Sequence, residues 1–217
     1  ELHPYSIGKY MIIDSSSRRN LELVDTLLEK QKRGSLLWVL DKTRTAMGAR
    51  LLRTYVEQPL IEKAEIIKRQ KLIEALNANE ITRDEIREYL NPIYDLERLI
   101  TRITYQSANP RDLIAFRDSL KMLPPIKQQL SDIPCELTDE INEEFDELKD
   151  IYELLLSSIE DEPPISQRDG DIIKAGYNEE VDRLRDAKTK GKTWLAELEA
   201  GEREKTGIKN LRIKYNK

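Results

Sequence analysis

The longest helical segment without a proline constrains the fold more than any other feature. No proline occurs between Asn178 and Thr206. Asn178 can cap the N-terminus of a helix, and Gly207 can end it. Glu179 and Glu180 would lie in the first turn, where the helix dipole favours carboxylates. A helix of about 28 residues is about 42 Å long, whereas an ordinary helix has about 11–12 residues. We therefore expect one long helix near the C-terminal end of the sequence.

This long helix carries a repeated spacing on one face. Residues in alternating steps of three and four predict a packing face for a neighbouring helix: Val181, Leu184, Lys188, Gly191, Leu195, Leu198 and Glu202. The face is weakest at Lys188 and Gly191. Because a glycine inside a helix costs about 1 kcal/mol relative to alanine, we expect Gly191 to be the softest point of the helix.

The rest of the sequence also favours helices. Charged residues make up 35% of the 217 residues and aromatic residues 6%, with 8 Gly and 9 Pro. This composition is typical of amphipathic helices and argues against a β-sandwich, a collagen or a low-complexity chain. We expect Pro124 and Pro125 to interrupt the helical structure. Residues that can begin helices recur along the chain: Ser35, Thr45, Thr82 with Glu85 three positions on, Asn91 before Pro92, and Asn109 before Pro110.

Acidic residues are concentrated between positions 131 and 170, which hold 14 acidic and 2 basic residues. The segment predicts a long helix from about Thr138 to Ser158. Its carboxylates at Asp139, Glu143 and Glu147 most simply form a solvated outer face. A divalent-metal site and a docking face for a basic partner are the alternatives. Apolar residues follow one another in steps of four and three along the opposite face: Ile141, Phe145, Leu148, Tyr152, Leu155 and Ile159.

Two short segments favour a strand. Gly170 and Gly176 bracket a pair of isoleucines at 172–173, which predicts a short strand or hairpin. At the C-terminal end, apolar residues at 211, 213 and 215 alternate with polar ones, which is the period of a strand. The predicted fold class is therefore mainly α: an elongated helical bundle with long helices and a short strand or hairpin element.

The residue types that most catalytic and metal sites need are scarce. Cys135 is the single cysteine, which excludes an internal disulfide and a Cys-based zinc site. His3 is the single histidine and leaves little room for a Ser-His-Asp triad or a histidine metal cluster. Residues 191–193, Gly-Lys-Thr, resemble the end of a phosphate-binding loop, but position 186 is Asp where that loop requires glycine. We expect no catalytic residue, cofactor site or metal site in this chain.

Other features bear on location and context. No apolar run reaches the roughly 18 residues of a membrane-spanning helix, and no charged-then-apolar leader is present. The net charge of −5 is too small to imply a nucleic-acid coat or a disordered acidic tail. The sequence begins with Glu rather than Met, which indicates a piece of a longer protein. We expect a cytoplasmic protein without membrane contact.

The C-terminal tail is the most basic segment. From Arg203 to the end, the sequence contains six basic residues and a single acidic one, Glu204. Arg203 and Lys205 are explained by their place in the last turn of the helix, where the dipole favours cations. The remaining four residues are candidates for contact with phosphates: Lys209, Arg212, Lys214 and Lys217.

Several strings of this sequence closely resemble the MutS family of bacterial mismatch-repair proteins. They cover nearly the whole chain: MIIDSSSRRNLELV (11–24), GSLLWVLDKTRTAMGARLLRTYVEQPL (34–60), YDLERLITRITYQSANPRDL (94–113), GYNEEVDRLRD (176–186) and GEREKTGIKNLRIKYNK (201–217). The resemblance implies that residues 1–13 are the exit of a connector domain, 14–206 a core or lever domain, and 207–217 the start of a clamp domain.

The resemblance also implies a setting for the chain. The parent protein would be a DNA-dependent ATPase that uses ATP and Mg, forms a homodimer, binds mismatched double-stranded DNA and works with a MutL-type partner. This chain would itself be non-catalytic and would couple the ATPase domain to the DNA clamp through its lever helices. Two other hypotheses remain open: a generic helical scaffold or coiled-coil interaction domain, and an independent nucleic-acid-binding module.

Overall fold

The computed structural model describes residues 8–208 and 210–212 and is mainly helical. This confirms the predicted class. The described residues form eleven α-helices and one 3-10 turn at Gln167–Asp169. The helices are α1 Ser15–Asn20, α2 Leu36–Leu40, α3 Ala46–Glu57, α4 Lys63–Ala78, α5 Glu80–Leu90, α6 Leu96–Thr104, α7 Pro110–Leu120, α8 Leu123–Ser131, α9 Glu136–Glu144, α10 Lys149–Ser158 and α11 Glu179–Thr206.

Four of the predicted helix starts are confirmed. Ser35, Thr45, Asn109 and Asn178 each precede a helix, and the side-chain oxygen of each accepts a hydrogen bond from a backbone N–H of the first turn. Asn109 forms a full capping box, because the Asp112 side chain accepts in return from the Asn109 backbone N–H at 3.0 Å. These caps satisfy donors that the helix itself leaves unpaired, so they can be read from local sequence.

Two predicted starts are wrong. Thr82 lies inside α5, which already begins at Glu80. The helix expected after Asn91 and Pro92 begins only at Leu96. The intervening segment is held as a turn, because the backbone N–H of Tyr94 donates to Ser119 Oγ on α7 at 3.0 Å. This contact with a distant helix overrides the local cap signal.

The prediction of one long acidic helix is also wrong. The segment forms α9 and α10, separated at 145–148, and Leu148 adopts a left-handed backbone with φ of 51°. The break is stabilised on both sides. Asp146 Oδ1 accepts from the Leu148 backbone N–H at 2.9 Å, and Lys127 Nζ on α8 donates to the carbonyl of Phe145 at 2.6 Å. The apolar spacing across 141–159 therefore belongs to two helices rather than to one face.

The predicted strand at 172–173 is reduced to one antiparallel bridge between Ile173 and Ile159, and the described residues contain no longer strand. Two backbone hydrogen bonds of 2.8 Å flank the bridge, from Glu160 N–H to the Ile172 carbonyl and from Lys174 N–H to the Ser158 carbonyl. Of the alternating C-terminal residues, 213 and 215 lie outside the described residues.

The main core lies between α6, α7 and α10. Its buried residues come from these helices and the position just after α10: Leu99, Phe116, Leu120, Leu155 and Ile159. A second group of helices, α4, α5, α8 and α9, packs around the buried Ile126 and Ile133. The chain passes from α7 directly into α8, so the two groups are adjacent in sequence as well.

Leu120→Ala should destabilise the fold strongly. The Leu120 side chain is only 1% exposed, so its truncation leaves a cavity and should lower the free energy of unfolding by about 2–5 kcal/mol. Leu154→Ala on α10 is the matched control, because that side chain is half exposed. Urea denaturation followed by circular dichroism measures both. Equal losses in the two variants would contradict the placement of the core.

Candidate functional site

The long helix α11 has well-defined ends. It runs for 28 residues, as predicted. At its start Asn178 Oδ1 accepts from the backbone N–H groups of Glu180 and Val181, at 3.0 and 3.1 Å. At its end Gly207 has a φ of 69°, a left-handed conformation that glycine adopts without strain, and its N–H donates to the Arg203 carbonyl at 2.9 Å.

The start of α11 is attached to the preceding segment mainly by Arg185. Its Nη2 donates to the carbonyl of Ile173 at 2.6 Å. The same guanidinium lies 3.7 Å from a carboxylate oxygen of Asp171 and 3.5 Å from one of Asp182. Asp182 in turn accepts from the backbone N–H of Gly176 at 2.7 Å. We name this set of contacts the base of α11; charge-assisted hydrogen bonds of this kind are stronger than neutral ones.

The base of α11 connects directly to the main core. Ile173 forms the antiparallel bridge with Ile159, whose side chain is buried in the core. Next to it, Lys174 Nζ donates to the Leu156 carbonyl at 3.0 Å and to Asp161 at 3.3 Å. A continuous path of hydrogen bonds and packed side chains thus runs from α11 into the helices of the core.

Asp161 is the charged end of this path. The pKa of its carboxyl lies below the ordinary value, first because Arg117 Nη1 on α7 donates to it at 2.6 Å and second because Lys174 donates to it. The Arg117 side chain is largely buried, so Asp161 neutralises a cation that would otherwise be poorly solvated.

The packing face expected along α11 is not covered by a helix. In the described part of the chain no other helix packs along α11. Val181, Leu184 and Lys188 instead line an open groove of about 710 Å³ against residues 170–173. Leu184 is 65% exposed, and a Cβ added at Gly191 would meet nothing within 4 Å.

The residues predicted to contact DNA follow the far end of α11. Arg212 is exposed, and the carbonyl of the preceding residue, Leu211, accepts from Arg203 Nε at 2.9 Å. Three other candidates lie outside the described residues: Lys209, Lys214 and Lys217.

A second polar cluster, which the sequence reasoning missed, joins α3 to α6. Arg50 donates from Nη1 and Nη2 to the two carboxylate oxygens of Asp95, both at 2.7 Å, and it also donates to Glu97. This hydrogen bonding is the main cause that lowers the pKa of Asp95. The partners are 45 positions apart in the sequence, so no local pattern indicates that they meet.

The carboxylates of the acidic segment are distributed over two helices and the break between them. Asp139 and Glu143 lie on α9, whereas Glu147 lies in the break before α10. Glu140 pairs with Lys68 of α4. Across the described ranges no three His, Cys, Asp or Glu side chains are grouped so that they could hold a metal ion. Nor does any helix in those ranges combine the length and apolar character needed to cross a membrane.

Comparison with known proteins identifies the family to which the chain belongs. Residues 16–216 match the family model described as MutS domain III. The chain is 64% identical to the DNA mismatch repair protein MutS of Lachnoclostridium phytofermentans over 214 residues, which cover 99% of this chain and 23% of that protein. It is 53% identical to the MutS of Caldanaerobacter subterraneus subsp. tengcongensis, and the match covers 98% of this chain and 24% of that protein. It is 49% identical to the MutS of Ruminiclostridium cellulolyticum, and that match covers 100% of this chain and 25% of the relative. The chain thus spans about a quarter of the length of these relatives.

Gly191→Ala should stabilise the chain. The space around Gly191 is open, so the methyl group adds no clash, and alanine raises helix propensity by up to about 1 kcal/mol. Gly176→Ala is the matched control: its surroundings are equally open, but its φ of 84° strains any residue with a side chain. Chemical denaturation should show a rise in unfolding free energy for the first variant and a fall for the second. The same sign in both would contradict the assigned backbone conformations.

Asp95→Asn should reduce the sensitivity of the fold to acid. The pKa of Asp95 in the folded state is below its ordinary 3.8, so the pairing stabilises the fold above that pH and is lost as the pH falls through the folded-state value. We expect the variant to be less stable at neutral pH and to lose less unfolding free energy than the wild type as the pH falls below the ordinary value of 3.8. Asp150→Asn removes one exposed carboxylate from α10 and is the control for the loss of a negative charge. Denaturation at each pH measures the slopes; equal slopes in all three proteins would refute the prediction.

Proposed function

The chain belongs to the MutS family of DNA mismatch repair proteins as its domain III, and we propose that it acts as the mechanical connection between the ATPase domain and the DNA clamp of a full-length MutS protein. In this proposal residues 14–206 form the core or lever domain, residues 1–13 leave a connector domain, and residues 207–217 enter the clamp. ATP and Mg bind elsewhere in the protein, and this chain supplies no catalytic residue.

The length of α11 is the observation that carries this proposal. A helix of 28 residues spans about 42 Å, so a rotation of about 10° at its base moves its far end by about 7 Å. A lever needs such a length and a firm attachment at one end, and the base of α11 supplies the attachment.

The attachment explains how a movement of the core could reach α11. The Ile173–Ile159 bridge joins the base of α11 to the packed core, and Arg185 joins the base to the helix. Because a close-packed core moves as a unit, a rotation of α7 and α10 is passed to the helix rather than absorbed.

In this proposal the basic residues that follow α11 let its far end bind DNA. Lys209, Arg212, Lys214 and Lys217 follow α11 and would contact phosphates of double-stranded DNA. Contacts of this type are independent of base sequence and weaken steeply with salt. Recognition of the mismatch itself would then fall to another part of the protein, and the homodimer and a MutL-type partner would form through surfaces beyond this chain. A cytoplasmic location belongs to the same proposal.

The alternative is a helical scaffold or coiled-coil domain that holds other parts of the protein in place without moving them. Three large apolar residues exposed on α11, Leu184, Trp194 and Leu198, favour it, since a partner helix that packs on them would stay in place. The two functions differ in one respect. A lever requires an intact and attached α11 for ATP to affect DNA binding, whereas a passive scaffold does not.

Arg185→Gln in full-length MutS should weaken the coupling between ATP binding and DNA release. The substitution removes the charge-assisted hydrogen bond to Ile173, an interaction of about 1.5–3 kcal/mol, so ATP-triggered release should slow about tenfold or more. ATP hydrolysis in the absence of DNA should persist. Lys190→Gln is the matched control, because its ammonium is exposed and pairs only with Asp186 on the same helix. Fluorescence anisotropy of a labelled mismatched duplex follows the release.

Leu195→Pro provides a stronger form of the same test. Proline in the interior of α11 costs about 3 kcal/mol or more and breaks the helix between its base and its far end. We expect uncoupled DNA release with the ATPase activity retained. If folded Arg185→Gln and Leu195→Pro proteins both released DNA at the wild-type rate on addition of ATP, the scaffold alternative would replace the lever.

A further inference from the structure

A polar cavity is lined by residues between positions 44 and 88, far from α11 in the sequence, and has no role in the proposed lever. It has a volume of about 600 Å³ and lies between the loop that precedes α3, the end of α4, and α5. Every side chain that lines it is polar or charged: Arg44, Asn77, Arg83, Asp84, Arg87 and Glu88. Charged and polar groups dominate this lining, which favours an ionic ligand over a hydrophobic one.

Three arginines meet at this cavity from two separate segments. Arg83 and Arg87 are four residues apart on α5, so they share one face of the helix, and both are half-buried. Like charges at this spacing destabilise a helix. The fold then adds Arg44, from a loop about 40 positions earlier, to the same cavity. The three arginines outnumber the two carboxylates of the lining, Asp84 and Glu88, so the cavity carries an excess of positive charge.

The neighbouring groups leave much of this positive charge unpaired. Asp84 contacts only Arg83, at 3.3 Å, and Glu88 accepts from the Asn91 side chain at 3.2 Å. Within the described residues, Arg44 and Arg87 form no hydrogen bond or ion pair. Their guanidinium donors therefore remain available on the cavity wall.

The residues on both sides of Arg44 are fixed by hydrogen bonds, although its own side chain is exposed. Thr43 donates from its backbone N–H and its hydroxyl to Asp41 at 3.1 and 2.6 Å, and Thr45 caps α3 by accepting from the Gly48 N–H. A position fixed on both sides lowers the entropy lost when a ligand binds.

We propose that this cavity is a phosphate-binding site in which Arg44 and Arg87 grip the ligand and Arg83 supports them. A guanidinium presents planar, paired donors that match two oxygens of one phosphate, and three of them converge here. The shared chemistry is the phosphate group, whether it comes from a nucleic-acid backbone, a nucleotide or free phosphate. No residue of α11 lines the cavity, so a negative result for this site leaves the lever proposal unaffected, and the reverse also holds.

The test compares three forms of the full 217-residue chain. The first is the wild type and the second the double variant Arg44→Gln, Arg87→Gln. The third is a control, Arg19→Gln with Arg33→Gln, which removes the same charge from two exposed arginines away from the cavity. Isothermal titration measures binding of inorganic pyrophosphate, ATP, a 20-base-pair duplex and hexaglutamate. Thermal melting verifies that all three forms remain folded.

We expect the double variant to lose at least about tenfold in affinity for pyrophosphate, while the control changes less than about twofold. A matching loss for ATP identifies a nucleotide as the natural source, and a matching loss for the duplex identifies a nucleic-acid backbone; either result supports a phosphate site. Equal binding by the double variant and the control overturns the proposal. So does binding of hexaglutamate without pyrophosphate, because the cavity would then serve an acidic segment of a protein.

Discussion

The pair of hydrogen bonds between Arg50 and Asp95 is the constraint on which the first half of the structure depends. Asp95 does two things with one carboxylate: it accepts from Arg50 of α3 at 2.7 Å through each oxygen, and it caps α6 by accepting from the Arg98 N–H. The pairing thereby fixes where α6 begins and which helix lies beside that start. Since α6 carries Leu99 into the main core, the contacts of Arg50 with Asp95 and Glu97 connect α3 to a helix of the core.

From the core, the path to α11 is narrow. Among the described residues, the bridge at Ile173, the contacts of Arg185 and the hydrogen bond from Gly176 to Asp182 connect α11 to the packed part of the chain. In the proposed lever, the backbone hydrogen bonds of α11 keep the helix straight and the contacts at its base pass a rotation to it.

The charges of the chain are arranged by tertiary contacts more than by composition. The acidic segment at 131–170 is not simply a solvated face: Glu140 pairs with Lys68 of α4, and Asp161 pairs with the largely buried Arg117 of α7. Arginines collect instead around the cavity at α5, where neighbouring carboxylates neutralise them only in part. A net charge of −5 conceals both arrangements.

The sequence by itself determined the features that are decided within one helical turn or by overall pattern. The mainly α class, the caps at Ser35, Thr45, Asn109 and Asn178, and the length of α11 all rest on hydrogen bonds between near neighbours in the chain. The family could also be identified from the sequence, because its motifs cover nearly all the residues. Tertiary structure alone decided the break before Leu148, the late start of α6, the contacts of Arg50 and Arg185, and the position of Arg44 beside α5. Each of these depends on a partner far along the chain, such as Lys127 for Phe145 or Ser119 for Tyr94, and no local spacing reveals which distant groups the packing of helices will bring together.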